Sequence, residues 1–215
     1  MAPTRTPGPR SGPGRGLDRD SIVETALSFI DRDGAQGLTM RALAQELNVV
    51  PMALYRYVHG REDLLEAVVA RLLEGVRHDL EDDLARDSWQ GYLQTLATSV
   101  RRIAVDHASA FPLVATRHPS APWLRPPLRS LELVQDFLHT LLSHGFSDDQ
   151  AVDAYRAFSS FLLGQLLLEA ANRGAETSPV EVALDEGDAQ VANLDGQIDL
   201  SRMPDVDRLE MSVSQ

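Results

Sequence analysis

Residues 37–65 read GLTMRALAQELNVVPMALYRYVHGREDLL, and this stretch decides the fold. Thr39 stands directly ahead of an apolar-periodic run, Met40 to Leu47, whose Leu43, Ala44 and Leu47 share one face. Asn48 and Val49 make a turn. Pro51 then occupies a first helical turn, where its missing N–H is harmless, and the helix it opens is expected to run to about Tyr57. Helices this short are unstable alone and must be held by packing. Joined by a tight turn behind an amphipathic helix, they spell a helix-turn-helix.

Upstream, Asp18 can cap a helix from Arg19 to Asp33, with the stripe Ile22, Val23, Ala26, Leu27, Phe29 and Ile30 and a stop at Gly34. Downstream everything reads as longer helix. Glu62 to Val76 carries Leu64, Leu65, Val68, Val69, Leu72, Leu73 and Val76; Ser88 to Asp106 follows. A short or irregular segment spans Ala108 to His118, and four prolines between 119 and 127 mark a loop. Helices are then expected over Leu128–His144 and, behind a Ser147/Gln150 capping box, to about Arg173. No stretch alternates with period 2, so the chain is expected to be all-α: a three-helix helix-turn-helix head and a helical body.

The 215 residues are 43% hydrophobic and 24% charged, ordinary for a globular protein. The absence of cysteine excludes disulfides, thiol catalysis and Cys-based metal sites. No apolar run reaches the roughly 18 residues of a membrane span, and Met1 to Gly16 lacks a signal-peptide core, so a cytoplasmic protein with no membrane partner is expected. The net charge of −12 is unevenly spread: residues 1–61 hold 8 Arg against 6 acids, and the remainder 12 Arg against 26. Any surface for a polyanion must therefore lie in the N-terminal part. The expected organisation is a disordered basic arm (1–17), the head (18–61), the body (62–175) and an acidic, loosely ordered tail (176–215).

Residues 37–65 are similar to the DNA-binding segment of TetR-family transcriptional repressors. The specific part is Ala53-Leu54-Tyr55-Arg56-Tyr57-Val58, followed by Arg61 and the pair Leu64-Leu65. His107 to Pro119, and Gly145-Phe146-Ser147 through Leu162-Leu163-Gly164, more weakly resemble the effector domain of tetracycline-repressor-type members. The resemblance covers roughly residues 18–175. It implies a homodimer that binds a double-stranded DNA operator through the heads and a small-molecule effector in the body.

Thr39 is then expected to cap its helix and touch a phosphate. Arg41 would pair with guanine, since the family motif places a contact there. Tyr55 would donate to a phosphate, Arg56 and Tyr57 would read bases or phosphates, and Pro51, Met52 and Ala53 would lie against the groove, the last two near thymine methyls. Arg61 stands where the family usually has a phosphate-binding lysine. Val50 departs from the family's small polar residue and cannot cap with its side chain.

For the effector, aromatic and polar residues on apolar helices are the candidates: Tyr92, Phe111, Trp123, Tyr155, Phe158 and Gln165, with Gln165 the expected polar anchor because it falls on the stripe 155, 158, 162, 165, 169. Such a lining suits an uncharged or cationic, largely apolar compound. Apolar positions such as Leu131, Leu138, Leu142, Phe161 and Leu168 are expected to pack across a two-fold axis. His78 with Asp82, and Asp136 with His139, have chelating spacings, but no metal site and no cofactor are assigned. Tetracycline-repressor-type members hold magnesium through a histidine where this chain aligns Leu113. No nucleophile elbow or strand-borne glycine loop supports catalysis. The alternative is an all-α small-molecule-binding or enzymatic protein with a vestigial helix-turn-helix.

Overall fold

A computed structural model describes residues 17–81, 87–116, 128–176 and Asp205. Asp82, Trp123, the arm through Gly16 and the tail apart from Glu176 and Asp205 lie outside the described residues. The described residues form seven α-helices and one 3₁₀ turn, with no strand among them.

Helix α1 runs Arg19–Asp33, as its signals dictate. The Asp18 carboxylate accepts from the Ser21 N–H while the Ser21 hydroxyl closes the reciprocal half of a capping box, and Gly34 at φ +82° ends the helix. Helix α2, Met40–Glu46, starts where Thr39 Oγ1 accepts from the Ala42 N–H at 3.0 Å. Asn48 takes the left-handed φ of 53° that turns the chain, a conformation asparagine tolerates. Helix α3 is shorter than its sequence suggests: regular helix covers Pro51–Leu54, and Tyr55 to Tyr57 continue as turns with Tyr57 and Val58 N–H both bonded to the Leu54 carbonyl. Val50 makes no side-chain cap. Leu38, Leu43, Leu54 and Val58 are buried with Ile22, Ala26 and Ile30 of α1, which holds these two short helices in place.

Helix α4, Arg61–Leu80, is four residues longer at its end than the apolar stripe suggested. It packs on α1 at one end and on α5, Trp89–Asp106, at the other, so one continuous helix joins the N-terminal helices to the rest. Asp79 fixes the far end to α5: the Ser99 hydroxyl and the Arg102 guanidinium both donate to it, and the Ser99 bond leads in holding its carboxyl below the usual range. After α5, residues Phe111–Ala115 form the 3₁₀ turn opened by Pro112. Helices α6, Leu131–Ser143, and α7, Asp148–Asn172, complete the body; α7 has the Ser147 cap its sequence offered, while α6 starts three residues later than expected, capped by Ser130. The rings of Tyr92, Phe137, Tyr155 and Phe158 cluster around Phe137, with centroids 5.5–6.1 Å from it.

In the tail, expected to be loose, Asp205 is attached to the body. It is 6% exposed, accepts from Gln135 Nε2 at 2.6 Å and donates its N–H to Gln135 Oε1 at 3.1 Å.

Candidate functional site

The α2–α3 corner presents an unusual surface for an acidic protein. Val50 and Met52 are 67% and 74% exposed, Pro51 is exposed beside them, and Ala53 is half-buried. Tyr55 and Arg56 are exposed on the same turn, and Arg41 is exposed on α2. Arg41 and Arg56 make no ion pair or side-chain hydrogen bond among the described residues, whereas Arg19, Arg32, Arg61, Arg71, Arg102 and Arg129 are all engaged.

The neighbouring acids are turned away from this corner. Glu46, the acid on α2, is held by the Arg32 fork at 3.0 and 3.3 Å. Asp63 accepts from Arg19 at 2.9 Å and from the His59 N–H at 2.8 Å. Burial works against the Asp63 carboxylate, but the Arg19 and His59 bonds outweigh it and hold the carboxyl below its usual range. The corner is thus left with two open guanidinium groups whose local field is not cancelled.

Two expected contacts are placed differently. Tyr57 is half-buried against the head core, and its carbonyl accepts from Arg19 Nη1 at 3.0 Å. Arg61 is corrected outright: its side chain is 8% exposed and points inward, where Nε donates to the Leu38 carbonyl at 2.9 Å and Nη2 to the Ala35 carbonyl at 3.0 Å. A longer stem than an ordinary surface contact needs lets the guanidinium satisfy carbonyls of the α1–α2 connection, and a buried charge with such partners does not leave them cheaply. Thr39 is half-buried, with its hydroxyl committed to the cap.

In the body, a cavity of about 30 Å³ lies between α5, the 3₁₀ turn, α6 and α7. Its walls are Leu96, Val100, Val114, Leu128, Leu133, Phe137, Tyr155, Phe158, Ser159, Leu162 and Leu163. Tyr155 and Phe158 are among these walls. Tyr155 is buried with its phenol pushed up in pKa by that burial, against a hydrogen bond to Ser159. The other candidates lie away from it. Tyr92 and Phe111 are buried in the core but do not line the cavity. Tyr92 packs edge-on against Phe137, and its hydroxyl has no partner among the described residues. Gln165 is exposed on the opposite face of α7, with Phe161 (74% exposed), Gly164 and Leu168 (63% exposed). Leu131 and Leu138, expected to need a partner subunit, are each 2% exposed within this chain. Among the described residues no group of three or more His, Asp or Glu side chains is placed to hold a metal ion, and no helix is long and apolar enough to cross a membrane.

Sequence reasoning missed Arg129. It is buried at the entrance to α6 and paired with Glu62 at 2.7 Å. Nothing in the proline-rich sequence before it signals an inward-facing arginine. The bond from His107 Nδ1 to Asp31, 2.7 Å, which ties the end of α5 to α1, was equally silent.

A short-helix corner offering open arginines, carried on a helical body with an apolar cavity, defines a helix-turn-helix DNA-binding regulator. Residues 22–68 match the model for bacterial regulatory proteins of the tetR family, and residues 82–206 match that for the tetracyclin repressor-like C-terminal domain. The chain belongs to the TetR family and is a ligand-responsive DNA-binding transcriptional regulator. It is 30% identical to the tetracycline repressor protein class E of Escherichia coli over 168 residues, covering 76% of this chain and 74% of that one. A possible TetR-family regulator from Streptomyces coelicolor A3(2) superimposes with a TM-score of 0.61 at 26% identity, over 92% of this chain and 95% of that one. BioQ with its double-stranded DNA operator superimposes at 0.57 with 28% identity, over 73% and 90%.

Proposed function

We propose that this protein is a homodimeric repressor whose two heads (residues 18–61, with the arm 1–17) bind a near-palindromic operator and are released when a small, largely apolar effector enters the body (residues 62–175). The observation that carries the DNA contact is the α2–α3 corner, where Arg41 and Arg56 stay unpaired in a chain of net charge −12 while Glu46 and Asp63 are held elsewhere. Arg41 reads a guanine, Tyr55 and Arg56 contact phosphate or base, Pro51, Met52 and Ala53 lie against base edges, and Thr39 approaches a phosphate. The Tyr57 ring and the Arg61 side chain support this corner from behind. The similarity to a tetracycline repressor and to an operator-bound structure supports the same reading.

Dimerisation is assigned to the exposed α7 face bearing Phe161, Gly164, Gln165 and Leu168. Large apolar side chains at helical spacing, left in water, gain by packing against their own copy across a two-fold axis. The effector site is the cavity around Phe137, Tyr155 and Phe158. Its free volume of about 30 Å³ is far below the roughly 300–1,000 Å³ of a pocket enclosing a small-molecule ligand. Effector binding therefore selects an opened body, and only a preference for that form over the closed one can shift the head. The protein works by binding, in the cytoplasm, without a metal, a cofactor or catalysis.

The testing experiment is a mobility-shift assay against DNA flanking its own gene. A retarded, sequence-selective complex is expected. Binding that does not distinguish this DNA from unrelated duplex at equal salt would point to the vestigial helix-turn-helix instead.

A further inference from the structure

We propose that Arg129 is the positioning residue through which the body cavity governs the head, a buried guanidinium shared between the cavity wall and the first turns of α4. The inference rests on the reading above that the body answers an effector, and adds the residue that transmits the answer.

The contacts run without a gap. Val114 and Leu128 are cavity walls. The Arg129 N–H donates to the Val114 carbonyl at 3.0 Å, and Arg129 Nη1 donates to Thr116 Oγ1 at 3.2 Å, so any displacement of this wall carries Arg129 with it. On its other side Arg129 Nη2 donates to Glu62 Oε2 at 2.7 Å. Glu62 is next in the chain to Arg61, whose guanidinium grips the Ala35 and Leu38 carbonyls directly ahead of the Thr39 cap of α2. A wall movement at the cavity therefore reaches the start of α2 through the Val114–Arg129, Arg129–Glu62 and Arg61–Leu38 hydrogen bonds and the peptide link between Arg61 and Glu62.

The arrangement has two positions. Arg129 is 7% exposed, and its Nε is buried with no partner among the described residues. Such a charge cannot be abandoned to an apolar interior; it must exchange one carboxylate for another. Glu66 lies one helical turn beyond Glu62 and approaches the same Nη2 at 4.0 Å. Burial pushes the Glu66 carboxyl above its usual range, and the nearby Arg129 charge acts against that rise. A cavity of about 30 Å³ cannot admit a ligand unless its walls move. When Val114 and Leu128 move, Arg129 slides from Glu62 to Glu66, and the first turn of α4 loses its tie to the body. Interfaces with two discrete pairings convert small shifts into switches in this way.

Hydrogen exchange on the full chain, with no ligand added, tests this for wild type, Glu62→Gln, Thr116→Val and the double variant. Glu62→Gln should speed exchange of the α2 amides by about tenfold, because local opening becomes easier, with α5 and α7 unchanged. Thr116→Val lies in the body, yet should act in the same direction on α2. The double variant should match Glu62→Gln alone. Effects of Thr116→Val confined to the body, effects on α2 that add in the double variant, or α2 exchange identical in all four proteins would overturn the proposal. Arg129→Gln is a further check where it folds; the two milder variants do not depend on it. Operator affinity measured in parallel separates the two claims: if wild type binds no DNA selectively, the regulator reading fails while the exchange result still decides the coupling.

Discussion

The α2–α3 corner and the body cavity are built on opposite principles. At the corner, apolar side chains and guanidinium groups are left in water; around the cavity, apolar side chains close on one another until about 30 Å³ remains. A surface that meets a macromolecule can be finished in advance, because its partner brings its own shape and charge. A pocket for a small molecule inside a marginally stable domain is held shut by the same packing that stabilises the domain. The head is thus ready and the body is waiting, and what distinguishes them is how much each must change to bind.

That contrast can be broken most severely at the dimer face. Phe161→Asp with Leu168→Asp should yield monomers by light scattering and weaken operator binding by about 10²–10⁴-fold, since two heads would no longer bind as one unit. An unchanged dimer would move the interface off α7. At the corner itself, Arg41→Ala should relax sequence preference at a cost of about 1–3 kcal/mol per half-site in a competition assay. If it weakens all sequences equally, Arg41 is a phosphate contact.

A smaller effect separates head from body in acid. Asp63 has a carboxyl held below its ordinary value of 3.8, so its contribution is present above that value and is lost as the pH falls through the lower folded one. Below about pH 4, Asp63→Asn should therefore narrow its stability gap to wild type, as read by urea unfolding; a gap constant with pH would remove the Arg19 and His59 bonds as the cause. In the body, Tyr92→Phe deletes a buried hydroxyl with no partner among the described residues and should raise stability by about 1 kcal/mol. A loss of similar size would mean that the hydroxyl is bonded in solution. Least of all, Gln165→Leu should leave induction by any effector intact and change only self-association, the reverse of what an anchor in the pocket would do.

Legibility followed the same division. The limits of α1 could be read because Asp18, the apolar stripe and Gly34 each act within one turn. Tyr55 and Arg56 were legible as surface residues because so short a segment gives them no core role, whereas Tyr57, which packs on the head core, and Arg61 were not: nothing local reveals that carbonyls of residues 35 and 38 lie within reach of Arg61. In α7 the buried line passes through Tyr155, Ser159, Leu163, Leu166 and Ala170. The stripe 155, 158, 162, 165, 169 departs from that line after Tyr155 and leads to Gln165, which is exposed. The cavity's remaining walls were core positions by any sequence criterion, since a closed pocket and a well-packed core have the same composition.

The central claim is that Arg41 and Arg56 are kept open for DNA. The most direct test is the salt dependence of operator affinity for wild type and the Arg41→Ala, Arg56→Ala double variant. Wild-type affinity should fall by roughly 10³–10⁵ between about 50 and 200 mM salt if the two heads make some 6–10 phosphate contacts. The double variant should bind more weakly, with a shallower slope and less discrimination between operator and unrelated DNA. A double variant that keeps wild-type affinity, slope and selectivity would contradict the account.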